Sequence, residues 1–228
     1  MTVSSAGLRQ GTLAALAATF TFLSAPAHAA SDGNIHARNV AIQPPKEKVG
    51  IEVVKVAGSG CPAHTTAVAI SPDNSAFTLT YSKYLAQVGN GAPAVESRKN
   101  CHLDLRVNVP QGYTYAITGT DYRGFASLQT GAVGIHEASY FFQGGPPPAA
   151  KITSFRGAYN DNWQVSHQVD IDALVYAPCG EQRNFNINTQ LRVMAGSSDS
   201  RKATSFMAMD SADSSVKTVY RFTWKHCG

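Results

Sequence analysis

The chain has 228 residues and a formal net charge of +4 at pH 7, with 19 lysines and arginines against 15 aspartates and glutamates. Only 15% of its residues are charged, and the cations are dispersed along the chain. A small, scattered positive charge argues against a nucleic-acid partner. The length suits one domain of upper-middle size, or one domain with an appendage.

The N-terminus has the order of a secretory signal. A single cation, Arg9, precedes an apolar stretch from Leu13 to Leu23, and the small-x-small site Ala27-His28-Ala29 follows. This is the order that signal peptidase recognises, and the apolar stretch is shorter than the ~20 residues of a membrane span. We therefore predict a signal peptide over residues 1–29, a secreted extracellular protein and no membrane span.

Residues 30–48 carry no sustained periodicity and include the stretch Gln43-Pro44-Pro45-Lys46-Glu47-Lys48. A polar, proline-containing segment of this kind is typical of a loosely held terminus. We predict a flexible N-terminal lead over 30–48, followed by one β-domain over 49–228.

Alternation of apolar and polar residues marks three segments of that domain. It runs through residues 101–109, 185–193 and 216–225. Such alternation is typical of antiparallel strands with one buried and one solvated face. Further strands are predicted at 67–70, 76–81, 135–142 and 169–176. Short strands at this spacing predict an all-β fold, an antiparallel two-sheet β-sandwich of the jelly-roll or immunoglobulin-like type.

The chain contains four cysteines, Cys61, Cys101, Cys179 and Cys227. An even number in an exported chain indicates two disulfides, and four cysteines allow three pairings among which the sequence does not choose. We predict Cys61–Cys101 and Cys179–Cys227, because sequential pairing closes loops of moderate length on a meandering β-chain. A zinc site is the rival interpretation, but no Cys-x-x-Cys or paired-histidine spacing supports it.

Several short motifs, taken together, resemble one family. They are Gly58-Ser59-Gly60-Cys61-Pro62, Ser97-Arg98-Lys99-Asn100-Cys101, Thr120-Asp121-Tyr122-Arg123-Gly124, Pro178-Cys179-Gly180, Asn186-Ile187-Asn188-Thr189-Gln190-Leu191-Arg192 and Trp224-Lys225-His226-Cys227. The resemblance extends from about Val49 to Gly228, and the family consists of secreted proteins catalogued as domain of unknown function 4360. It implies a secreted domain with these four cysteines, and it carries over no catalytic residue.

Two segments offer candidate ligand-binding residues. Asp121, Tyr122 and Arg123 follow a predicted strand and are expected in a loop at the rim of the sandwich. An aspartate there can accept hydrogen bonds from sugar hydroxyls, an arginine can donate them and a tyrosine can stack. The alternative interpretation is an Asp–Arg pair that braces a tight connection. Trp163, in an expected polar loop, is either a stacking platform or a cap on the core.

We predict a non-enzymatic binding or surface-interaction module for a carbohydrate or a cell-surface protein. The chain carries no Gly-x-Ser-x-Gly elbow and no His-Glu-x-x-His motif, so we predict no catalytic residue, no cofactor and no metal. One alternative is a secreted hydrolase of polysaccharide that uses Asp170 or Asp172, which are expected on one strand face. The other alternative is a secreted toxin or inhibitor that acts on a protein.

Overall fold

The computed structural model describes residues 43–146, 148–209 and 217–228. The predicted signal peptide and most of the predicted lead lie outside the described residues. Within the described part, the regular elements are strands and two short 3₁₀ turns, Ala94–Ser97 and Ile171–Ala173. The strands are β1 (Gly50–Ala57), β2 (Thr66–Ile70), β3 (Ala76–Tyr81), β4 (Leu85–Val88), β5 (Arg98–Asn108), β6 (Tyr113–Leu128), β7 (Val133–Phe142), β8 (Lys151–Arg156), β9 (Tyr159–Gln168), β10 (Phe185–Met194), β11 (Ser205–Met209) and β12 (Thr218–His226).

The strands form two antiparallel sheets. One sheet has the order β1-β5-β10-β7-β8, and the other has the order β2-β3-β12-β6-β11-β4, with β9 paired to β6. Because β9 and β12 both pair with residues 119–121 of β6, they lie on opposite edges of that strand. The prediction of an all-β, two-sheet antiparallel sandwich is confirmed.

An aromatic core joins the two sheets. Phe77 stacks on Tyr220 within the larger sheet, with ring centroids 4.7 Å apart. Across the sandwich, Tyr220 meets Phe185 and Tyr140 of the five-stranded sheet at 6.4 Å. These rings are apolar over most of their area, and their burial is the main source of stability for such a core. Trp224 of β12 is 3% exposed and belongs to this cluster.

Strand β6 contains a bulge that reverses which residues face the core. Ile117 pairs with Phe222 of β12 and Gly119 pairs with Arg221, so Thr118 has no partner there. An extra residue in one strand shifts the alternation by one position. Tyr115 therefore faces inward before the bulge and Tyr122 faces inward after it, and both are buried.

Both predicted disulfides are confirmed. Cys61 is bonded to Cys101 and Cys179 to Cys227, with sequence separations of 40 and 48 residues. The first bond attaches the loop after β1 to the inner face of β5, and it is buried. The second attaches the exposed loop before β10 to the end of β12.

Residues 43–48, the described end of the predicted lead, lie against the turn between β2 and β3. The side-chain amide of Asn74 in that turn donates hydrogen bonds of 2.9 Å to the carbonyls of Pro45 and Glu47. Pro45 is buried, and so is Val49 at the start of β1. Contacts group Val40–Gly228 into one compact unit, and the other unit, Met1–Asn39, lies outside the described residues.

Candidate functional site

The segment Thr120–Gly124 is the middle of strand β6, so its predicted position in a rim loop is wrong. It pairs with β9 along one edge and with β12 and β11 along the other. Tyr122 points into the core and is fully buried, and its hydroxyl lies 3.3 Å from that of Tyr220. A ring in this position presents no face to an external ligand.

Asp121 faces outward but is covered by its neighbours, leaving it 5% exposed. Ser166 Oγ donates a 2.6 Å hydrogen bond to Asp121 Oδ1, and the guanidinium of Arg221 donates to Oδ2. Burial alone would raise the pKa of Asp121. The hydrogen bonds from Arg221 and Ser166 and the charges of Arg221 and Arg123 outweigh it, so this pKa lies below its ordinary value. An Asp–Arg pair is present, but the arginine is Arg221.

Trp163 lies in strand β9, and the prediction that it stands in a polar loop is also wrong. Its ring is 2% exposed, and its Nε1–H donates to the carbonyl of Ala208 at 3.1 Å. Asn160, Asn162 and Gln164 lie on the exposed outer face of β9, and Asp161 is exposed near the start of the strand, which explains the loop-like composition. Of the four predicted contact residues, only Arg123 is exposed.

The carboxylates considered for hydrolysis do not share a strand face. Asp170 precedes the 3₁₀ turn Ile171–Ala173 and Asp172 lies within it, and both are exposed. The alternation of acidic and apolar residues there comes from a tight turn, so the strand predicted over 169–176 is wrong.

The outer face of the five-stranded sheet carries a block of amide, carboxylate and imidazole side chains. It is formed by neighbouring strands β5, β10 and β7, whose intervening residues point into the core. Register partners align in rows across the three strands. The rows are Asn100–Gln190–Glu137, His102–Asn188–Ser139 and Asp104–Asn186–Phe141. Adjacent strands lie about 4.8 Å apart, so each row is a closely spaced set of polar groups.

These side chains hold one another in place. Gln190 Nε2 donates to Glu137 Oε2 at 2.9 Å, and Gln190 Oε1 accepts from Arg98. His102 Nδ1 donates to Asn188 Oδ1, and His102 Nε2 lies 3.1 Å from Asp104 Oδ1. Side chains fixed by such a network lose little conformational freedom when they bind a ligand.

A depression of about 160 Å³ lies over this block, and we call it the polar groove. The outward-facing polar residues that line it are Asn100, His102, Glu137, Ser139, Asn188 and Gln190. All of these except the exposed Asn100 are half-buried, so neighbouring residues constrain the positions of their polar atoms while solvent can still reach them. The groove offers several donors and acceptors on one surface.

A second cavity, of about 480 Å³, adjoins the groove, and we call it the apolar cleft. Strand β8 begins at Lys151, opposite Ala138, so residues 139–142 of β7 extend beyond it. The cleft lies beside this extension and reaches the segment 169–175. Its walls are mainly apolar, and they include Ile117, Tyr140, Phe142, Val169, Val175 and Phe185.

Two histidines meet Tyr122 inside the sandwich. The His136 ring is fully buried, its centroid lies 4.5 Å from that of Tyr122, and neither ring nitrogen has a hydrogen-bond partner in the described structure. Burial, with a smaller effect of His167, lowers the pKa of His136 to about 3. Burial and then the charge of Lys151 lower the pKa of His167 as well. Both rings are therefore neutral core residues near pH 7.

No group of three or more histidine, cysteine, aspartate or glutamate side chains is arranged to hold a metal ion within residues 43–146, 148–209 and 217–228. The same ranges contain no helix that is long and apolar enough to cross a membrane.

The alternation in residues 101–109 and 185–193 predicts the polar face of each strand but not that these two faces adjoin. The available signal was their composition. The outward residues of β5 and β10 are mostly asparagine, glutamine, histidine and aspartate, and asparagine and aspartate are depleted in ordinary strands. Recognising the groove required the pairing of strands that lie some 80 residues apart, such as His102 with Asn188, which are separated by 86 positions.

The two antiparallel sheets and the two disulfides define a disulfide-bonded, all-β domain. The profile of the family described as "Domain of unknown function (DUF4360)" matches residues 47–227, and the chain belongs to this family. An "Uncharacterized secreted protein" of Arthroderma benhamiae is 32% identical over 184 residues, covering 81% of this chain and 74% of that protein. The predicted family and the predicted secretion are confirmed.

Among solved structures, the enzymatically active domain of bacteriophage CBA120 tailspike protein 4 gives a TM-score of 0.26 at 9% identity. The match covers 76% of this chain and 19% of the tailspike chain. This chain thus spans about a fifth of the length of that protein.

Proposed function

We propose that this secreted protein is a non-enzymatic carbohydrate-binding module and that the polar groove is its binding surface. The observation that carries the proposal is the aligned rows Asn100–Gln190–Glu137 and His102–Asn188–Ser139. A sugar presents hydroxyls that both donate and accept hydrogen bonds. Amides do the same, carboxylates accept and imidazoles do either, so the groove can satisfy neighbouring hydroxyls together.

The surroundings of the groove supply apolar contact as well. Ile152 is the register partner of Glu137 on β8 and is 64% exposed. Phe141 ends the third row and is half-buried on the same face. Sugar rings have apolar faces as well as hydroxyls, and a site that combines planar polar groups with such surfaces accommodates both.

The placement of Asp104 and Glu137, the acids of the three rows, favours binding over hydrolysis. Glycoside hydrolysis requires two carboxyl groups about 5–10 Å apart. Asp104 and Glu137 are separated by β10, and their partners on it, Asn186 and Gln190, are four residues apart. Their backbones are therefore about 10 Å apart across the sheet and about 14 Å along it. Two outward-pointing carboxyl groups at this spacing do not flank one glycosidic bond.

The test is retention of the secreted protein on a panel of insoluble polysaccharides and cell walls, with the supernatants assayed for released sugars. The double variant Asn188→Ala/Gln190→Ala removes the central amides of the groove. Asn162→Ala/Gln164→Ala is its matched control, because these residues have the same types and spacing on the outer face of β9. Arg123→Ala tests the exposed residue predicted from the sequence.

We expect the wild type, the control variant and Arg123→Ala to be retained on at least one polysaccharide without releasing sugar. The groove variant should lose this retention. Loss of retention in Arg123→Ala alone would move the site to the outer face of the larger sheet. Sugar release by the wild type would favour the hydrolase alternative. Absence of both retention and release would overturn the proposal and favour a protein partner, as for a toxin or inhibitor.

A further inference from the structure

The polar groove and the apolar cleft share a border. Ser139 lines both depressions. Along the facing segment, Ala150 lines the groove, while its neighbours Ala149 and Lys151 line the cleft. The two depressions therefore meet at the edge of β7 that β8 leaves uncovered, where Ser139 faces outward and its neighbour Tyr140 faces inward.

The apolar cleft is lined for an apolar group. Three aromatic rings form one wall, with Phe185 centroids 5.8 Å from Tyr140 and 5.4 Å from Phe142. Its volume of about 480 Å³ falls within the roughly 300–1,000 Å³ usual for small-molecule sites. Polar groups, including Lys151, Gln168 and Asp170, stand among its lining residues.

Apolar surface remains exposed around the cleft. Val175, which lines it, is 70% exposed, and the adjacent Ile171 is 69% exposed. A cluster of exposed apolar side chains beside an apolar cavity is typical of a ligand site, whereas single exposed apolar residues are ordinary. The continuity with the polar groove gives the chemistry of the ligand.

We propose that the natural ligand is an amphipathic glycoside, whose sugar lies in the polar groove and whose acyl or aryl aglycone enters the apolar cleft. This inference rests on the proposed carbohydrate binding and narrows its ligand class. The apolar part adds affinity because each methylene that leaves water contributes to binding. The sugar makes binding selective for glycosides over purely apolar molecules, because a ligand without a sugar forms no hydrogen bonds with the polar groups of the groove.

The experiment is calorimetric titration of the purified secreted protein with matched pairs of methyl and octyl glycosides, kept below the micelle concentration. The pairs carry glucose, galactose, mannose or N-acetylglucosamine, and octanol serves as the apolar part alone. We expect at least one octyl glycoside to bind about tenfold or more tightly than its methyl partner and than octanol.

Two variants fill the cleft without touching the groove. Ala173→Phe and Ala149→Phe place a ring at exposed positions on different walls of the cleft. Ala94→Phe is the matched control for the first, because Ala94 is an exposed residue of the other 3₁₀ turn. In both cleft variants, octyl glycosides are expected to bind no more tightly than methyl glycosides, while the affinity for methyl glycosides stays the same. In Ala94→Phe, the affinities for both kinds of glycoside are expected to equal those of the wild type.

Three results would overturn the inference. Equal affinity for methyl and octyl glycosides would remove the cleft from the site and leave the proposed carbohydrate binding intact. Octanol binding as tightly as the octyl glycosides, with no effect of Asn188→Ala/Gln190→Ala, would make the cleft an apolar site unrelated to sugar. Absence of binding by any glycoside would also overturn it, and polysaccharide retention would then decide the proposed function separately.

Discussion

Asp121 on β6 accepts a hydrogen bond from Arg221 on β12, although the two residues are 100 positions apart in the chain. The carboxylate is nearly buried, while the guanidinium remains partly exposed, with side-chain exposures of 7% and 44%. With Ser166 as a second donor, this pair connects the three strands at the middle of the larger sheet. A residue that appeared from its sequence context to be a sugar contact is thus a structural one.

Replacing this carboxylate is expected to destabilise the protein at neutral pH. Asp121→Asn should lower the free energy of unfolding by about 1–3 kcal/mol at pH 7, because it removes a charged acceptor shared by Arg221 and Ser166. The folded pKa of Asp121 is lowered, so its contribution is present above the unfolded pKa and is lost as pH falls through the folded one. The difference in unfolding free energy between the wild type and Asp121→Asn should therefore become smaller as the pH falls.

Urea unfolding at a series of pH values measures this difference. Asp172→Asn, at an exposed aspartate of the 3₁₀ turn, is the matched control and should change stability by less than about 0.5 kcal/mol. A deficit for Asp121→Asn that stayed constant down to pH 2 would contradict the assigned pKa direction.

The two disulfides are expected to contribute similar stabilisation through the unfolded chain but different amounts through the folded one. Loops of 40 and 48 residues each correspond to about 4 kcal/mol in the chain-entropy model. Cys61→Ala/Cys101→Ala also removes buried sulfur atoms from the core, since both residues are at most 2% exposed. Cys179→Ala/Cys227→Ala removes a bond that joins an exposed loop to the chain end.

We therefore expect the first double variant to lose more stability than the second, measured by guanidinium unfolding under non-reducing conditions. The unfolding free energy of the fully reduced wild type and of each fully reduced variant, measured in the same way, provides the reference. Equal losses, or a greater loss at Cys179–Cys227, would mean that packing around Cys61 and Cys101 adds nothing beyond loop closure.

The buried histidine His136 is expected to make stability fall in mild acid. Its folded pKa of about 3 lies well below the ordinary value of about 6.5, so between these values the unfolded chain binds the extra proton. Stability then rises with pH across this window and becomes level above it. Between pH 6.5 and 4.5, His136 alone should account for a loss of about 2–3 kcal/mol.

His136→Phe keeps an aromatic ring beside Tyr122 and removes the titrating group. We expect its unfolding free energy to vary less with pH between 4.5 and 7 than that of the wild type. Val165→Ala, a core variant on β9, tests whether destabilisation by itself alters this slope. An unchanged slope in His136→Phe would show that His136 is not neutral in the folded protein.

The sequence allowed the prediction of those strands whose alternation is uninterrupted. Leu103, Leu105 and Val107 point into the core from β5, and Tyr220 and Trp224 do so from β12, as their spacing indicates. The local pattern was sufficient there because one face is apolar and the other polar along the whole strand. The pairing of cysteines in sequential order was also predicted.

The errors have identifiable physical causes. The bulge at Thr118 changes the phase of β6 midway, so a continuous strand resembles a strand followed by a loop. Asparagine and aspartate are rare in strands, yet β9 tolerates them because its outer face is solvated and its inner face supplies Trp163, Val165 and His167. The groove was not predicted because it arises from pairing between distant strands.

Trp163 provides the sharpest contrast between the sequence-based interpretation and the structure. A stacking platform would lose ligand retention on substitution while keeping its stability. A core residue does the reverse, and Trp163 is 2% exposed, with its ring 5.4 Å from His136 and 5.7 Å from Phe155. Trp163→Ala should therefore cost about 3–5 kcal/mol of stability.

Trp163→Phe separates the two roles, because it keeps most of the buried ring and gives up the hydrogen bond to Ala208. We expect it to remain folded, with a loss of about 1–2 kcal/mol, and to retain any polysaccharide that the wild type retains. Thermal unfolding and the retention assay measure these two quantities on the same sample. A stable Trp163→Phe protein that no longer binds would return this position to the binding surface.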